Sequence, residues 1–113
     1  EVYCADDGAL HAVLQEGGAG CITAAANVGS AVSAVVYANW DRSAGAEAQA
    51  TLGVIRKAVT MFSVIPALKS LMARHTGERA WLAMRPPHLP LDASAEARLF
   101  AAFDASGVHL APA

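Results

Sequence analysis

Residues 17–28, read GGAGCITAAANV, constrain the fold more than any other stretch. A helical pattern stops at Gly17-Gly18, where glycine commonly sits just past a helix end. An apolar run follows from Gly20 to Ala24, then small residues and Asn27. A second helical pattern opens near Ser30. Helix, tight turn, buried strand, loop and helix in that order make one unit of an α/β fold. An apolar run without alternation fits a parallel strand covered on both faces. Such folds place their chemistry at the loop after the strand. Thr23 to Asn27, and any strand end beside it, are therefore the place to look for function.

Upstream, Val2 to Ala5 reads as a short strand, closed by Asp6-Asp7-Gly8. A helix to Glu16 follows, with Leu10, Val13 and Leu14 at helical spacing. A helix between two strands favours a right-handed crossover, so the strands are expected to be parallel neighbours. Downstream, helices are expected over Ser30 to Asp41 and Glu47 to Val64. The first shows Val32, Val35, Val36, Asn39 and Trp40 on one face. The second shows Ala48, Leu52, Ile55, Val59 and Phe62. Pro66 breaks that run and suits the first turn of a helix ending at Thr76-Gly77. Pro86-Pro87 and Pro90 mark an extended connection. A last helix, capped by Asp92 or Ser94, buries Leu99, Phe100 and Phe103 and stops at Gly107.

Composition narrows the function classes. The chain of 113 residues is one domain at most. Charged residues make up only 16%, against ~25% in ordinary soluble domains. That shortage assigns part of the surface to contact with other protein, and a homo-oligomer is expected. The net charge of -2 carries no basic footprint for nucleic acid. No charged residue lies between Glu16 and Asp41, but glycines, polar side chains and the Asn27-Val28-Gly29 break argue against a membrane span. The chain opens on a strand-like run with no basic and apolar leader, and two strands are too few for a stable sheet. It is expected to be the later part of something longer.

Cys4 and Cys21 are too few for a secreted disulfide scaffold and read as buried reduced thiols, which points to the cytoplasm, with a structural or redox disulfide as the alternative. His11, His75, His88 and His109 have no ligand spacing, which argues against zinc. Gly17-Gly18-Ala19-Gly20 precedes a strand, whereas a phosphate loop follows one and opens a helix. Asp6 and Asp7 read either as a helix cap with a solvated charge or as a carboxylate facing a pocket. The two lysines, Lys57 and Lys69, fall on helices, away from both strand ends.

Val2-Tyr3-Cys4-Ala5-Asp6-Asp7, the unit from Gly17 to Val28, Ile65-Pro66-Ala67-Leu68-Lys69 and Arg85-Pro86-Pro87 to Leu91 carry a resemblance, in order along the chain. Together they resemble the closing portion of the dihydrodipicolinate synthase / N-acetylneuraminate lyase family. The resemblance implies a C-terminal fragment of a (β/α)₈ TIM barrel, an α/β fold. Residues 1–42 would be its last two βα units and residues 43–113 a C-terminal helical extension.

It also implies a class I aldolase or lyase that holds pyruvate, or another 2-oxo acid, as an imine on a lysine, with no cofactor and no metal. Ala5, Asp6 and Ile22 would form one wall of the substrate pocket. Ala5 stands where the family usually has glycine, and Ile22 where a backbone carbonyl faces the imine region. Met61-Phe62-Ser63-Val64 replaces a polar, proline-containing turn. The catalytic lysine would belong to a strand before Glu1 and is absent here, as is every other catalytic residue. The alternative from another class is a non-catalytic helical interaction module.

Overall fold

The computed structural model describes residues 1–112. Two strands come first, β1 (Tyr3–Cys4) and β2 (Gly20–Cys21), with a 3₁₀ turn (Asp7–Ala9) and α1 (Leu10–Gln15) between them. Four longer helices follow: α2 (Ala26–Ala38), α3 (Ser43–Thr60), α4 (Val64–Thr76) and α5 (Ala93–Asp104). A second 3₁₀ turn (Arg79–Leu82) sits in the proline-rich connection.

The strands are parallel neighbours, with Tyr3 opposite Gly20 and Cys4 opposite Cys21. The expectation of a TIM-barrel fragment is nevertheless overturned. Helix takes 62% of the residues and strand 4%, and the sheet has only two strands. Each strand commits two residues rather than the four or five its apolar run suggested. The reason is local. Beyond Ile22 the chain turns at Thr23, whose hydroxyl oxygen accepts the Ala25 N–H at 3.3 Å. The alanines that follow are strong helix formers, so α2 begins at Ala26, and Asn27 lies in its first turn rather than in a loop.

The glycine stops hold. The Gly18 N–H closes α1 by donating to the Val13 carbonyl at 2.8 Å, with Gly17 at φ 84°. Gly77 ends α4 in the left-handed region at φ 72°, where a Cβ is unfavourable. Pro66 sits in the first turn of α4, where its missing N–H has no helical acceptor to lose. At α5, Asp92 is the cap: its carboxylate accepts the Ala95 N–H at 2.8 Å.

The longest helix, α3, is the centre of the core. Leu52, Ile55 and Val59 are fully buried on it, meeting Val36 of α2, Leu71 of α4 and Leu99 of α5. The α3 face matches the expected spacing. The α2 face matches in part: Val36 is buried and Val32 packs against the core, joined by Val28 and Gly29, while Val35 and Trp40 are exposed. Trp40 is exposed because α2 ends at Ala38 and Trp40 falls in the turn that follows. The close approach of α2 and α3 needs glycine at position 45, where a Cβ would stand 2.2 Å from the Asn39 carbonyl oxygen.

No single helix among the described residues is long and apolar enough to cross a membrane. The uncharged stretch is split between β2, the Thr23 turn and α2.

Candidate functional site

The two strands end side by side. Beyond the Cys4–Cys21 pair, the Ile22 N–H donates to the Cys4 carbonyl at 2.9 Å. Ala5 and Ile22 therefore leave the sheet together, at the end that also carries Asp6. All three expected site residues are exposed there, Ile22 at 73%. They do not enclose a cavity. Five surface hollows of about 300–370 Å³ are lined by other residues.

The adjacent aspartates take different roles. Asp6 is the cap: its Oδ1 accepts the Gly8 N–H at 2.7 Å and opens the 3₁₀ turn. Asp7 points the other way and is 1% exposed. Neighbouring residues diverge in direction, so one carboxylate reaches water and the other enters the core. Neither a solvated charge nor a pocket carboxylate describes Asp7.

An unscreened carboxylate in that position would be costly. Arg56, on α3, meets it. Its Nη1 donates to Asp7 Oδ1 at 3.0 Å, and its Nε lies 3.5 Å from Asp6 Oδ1. The Thr23 hydroxyl lies 3.5 Å from the same Asp7 oxygen. Asp7 Oδ2 is buried without a hydrogen-bond partner.

Gln49, two turns before Arg56 on α3, grips the same turn through its backbone. Its Nε2 donates to the Asp7 and Gly8 carbonyls at 3.0 and 3.2 Å. Its Oε1 accepts the His11 N–H at 2.9 Å. Two polar side chains of one helix thus fix the loop after β1, and Thr23 ties the loop after β2 to it. Sequence reasoning missed Arg56 and Gln49, and singled out the stretch that begins at Thr23 without this tie to Asp7. The only signal was that Gln49 and Arg56 lie seven apart, on one helical stripe.

The cysteines are free and half-buried, facing each other across the strands. The Cys4 thiol lies 3.5 Å from the Gly20 carbonyl, reaching toward β2. Burial, then the neighbouring Cys4 and Asp7, push the Cys21 thiol above its ordinary value of 9.0.

The lysines lie elsewhere. Lys57 is exposed on α3, and Lys69, on α4, donates to the Ala83 carbonyl. Neither amine stands at the strand ends. No cluster of three metal-ligating side chains occurs among the described residues. The arrangement can hold two strand-end loops rigidly and present Ala5, Asp6 and Ile22 to a neighbour. It contains no amine placed to bond with a carbonyl carbon beside those residues. Neither a protein-family model, nor a characterised protein, nor a solved structure matches this chain.

Proposed function

We propose that the chain is the scaffold and pocket-wall portion of a Schiff-base lyase acting on pyruvate or another 2-oxo acid. Ala5, Asp6 and Ile22 face the substrate, and the imine-forming lysine lies outside residues 1–113. The observation that carries this reading is the bond from the Ile22 N–H to the Cys4 carbonyl, which brings the two strand ends to one exposed rim. A rim held from behind by Arg56 and Gln49 is stiff, as a wall positioning a small carbonyl substrate must be. The family resemblance supplies the substrate class. The reading includes a cytoplasmic location, in keeping with two unbridged thiols, and assembly with copies of itself.

A second reading, a non-catalytic helical interaction module, is favoured by the apolar side chains that α2 leaves exposed. Val35 and Tyr37 are 46% and 58% accessible.

Borohydride trapping separates the two. The full gene product is incubated with pyruvate, and with a small panel of other 2-oxo acids, then reduced and mapped by mass. The lyase reading expects one stoichiometric adduct, on a lysine other than Lys57 and Lys69. An adduct on either of those two would end the scaffold role, because the chemistry would then sit within this chain. No adduct with any 2-oxo acid would remove the lyase reading and leave the module.

A further inference from the structure

The sheet is held by two facing residue pairs, and one of them is cysteine opposite cysteine. Register partners on parallel strands project to the same face. Adjacent strands run about 4.7–4.9 Å apart. That separation falls within the ~4.4–6.8 Å between Cα atoms that a disulfide spans. The Cys4 thiol lies between the Asp6 carbonyl, at 3.2 Å, and the Gly20 carbonyl of β2, at 3.5 Å. Both side chains are half-buried, so a small oxidant can reach them.

We propose that Cys4 and Cys21 are an oxidisable dithiol, closing to an intramolecular disulfide that clamps β1 to β2. The register of the strands brings the two thiols together whether or not the chain belongs to a lyase.

The oxidant class is a small disulfide such as oxidised glutathione. The Cys4 thiolate attacks one sulfur of it, forming a mixed disulfide and releasing one glutathione thiolate. The Cys21 thiolate then attacks the Cys4 sulfur and expels the second. Two protein thiols are oxidised, one glutathione disulfide is reduced, and the two protons end on the released thiols. Burial raises the Cys21 thiol, which lowers the fraction present as the attacking thiolate in the second step.

Closure has a defined structural effect. Ala5 and Ile22 each follow a bridged cysteine directly. The bridge adds a covalent tie between them to the strand hydrogen bonds and the Arg56, Gln49 and Thr23 contacts that hold the reduced chain. A thiol buffer outside the protein is thereby coupled to the geometry of the exposed rim.

The test equilibrates the full chain in glutathione redox buffers, once under native conditions and once in concentrated guanidinium chloride. Free thiols are then blocked with iodoacetamide. Cleavage after Glu16 separates the two cysteines, so peptides 2–16 and 17–47 stay joined only through the bridge. The proposal expects the bridge to form with an equilibrium constant at least about tenfold larger in the folded chain. Dithiothreitol should reverse it. Cys4→Ser and Cys21→Ser should each stop at a glutathione mixed disulfide. A folded-state constant equal to or below the unfolded one would overturn the proposal. So would wild-type chain that accumulates glutathione mixed disulfides instead of the bridge.

Discussion

Arg56 Nη1 lies 3.0 Å from Asp7 Oδ1, joining the C-terminal part of the longest helix to the loop after the first strand. The carboxylate is 1% exposed and the guanidinium partly open to water. Removing the cation leaves a buried charge without its partner, which typically costs 3–5 kcal/mol. The partial exposure of Arg56 lets water reach the gap, so Arg56→Met should cost about 3 kcal/mol, at the lower end of that range. Urea unfolding of the two proteins reads this directly. A loss below about 1 kcal/mol, typical of an exposed ion pair, would show that the contact is a surface one.

Gln49 makes three backbone hydrogen bonds, two to the turn between β1 and α1 and one to His11 in the first turn of α1. Gln49→Ala should cost about 1–2 kcal/mol, because the partners are only partly buried and regain water. The local signature is sharper than the global one. The His11 amide should lose its protection from hydrogen exchange, while amides in the middle of α3 keep theirs.

Gly45 faces a carbonyl oxygen of the backbone, which cannot swing away as a side chain can. Gly45→Ala therefore forces α2 and α3 apart despite alanine's better helix propensity. The expected loss is about 1–3 kcal/mol, the range for overpacked sites. Gly53→Ala is the control: a Cβ there meets nothing within 4 Å, and the substitution should stabilise by about 0.5–1 kcal/mol. Thermal melts of the pair should move in opposite directions.

Cys21 is held above its ordinary value of 9.0, first by burial. A raised folded-state value means the neutral thiol is favoured in the fold. That contribution is fully present below the unfolded value and is lost as pH rises through the folded one. Iodoacetamide should label Cys21 more slowly in the folded chain than in the unfolded chain at pH 8. Stability should also fall as pH passes above about 9, and Cys21→Ser should flatten part of that decline. Equal labelling rates in the two states would show that Cys21 lies in open solvent.

What the sequence determined by itself was local. Glycine at 17, 77 and 107 stops helices because a chain without a Cβ enters the left-handed region freely, and each of those positions has positive φ. The spacing of Leu52, Ile55 and Val59 names the buried face of α3 because a helix repeats regardless of what covers it. The parallel pairing follows from strand, helix and strand in close succession.

The tertiary structure decided the rest. How far each strand extends depends on partners, and each commits only two residues to the sheet. The residues after Ile22 form a turn and then helix, so an apolar run that could serve either state went to the helix. The fate of Asp7 depended on Arg56, 49 residues away. Nothing local distinguishes Asp7 from its exposed neighbour Asp6. A charge enters a core only where the fold delivers a counter-charge, and that delivery is a property of packing, not of spacing along the chain.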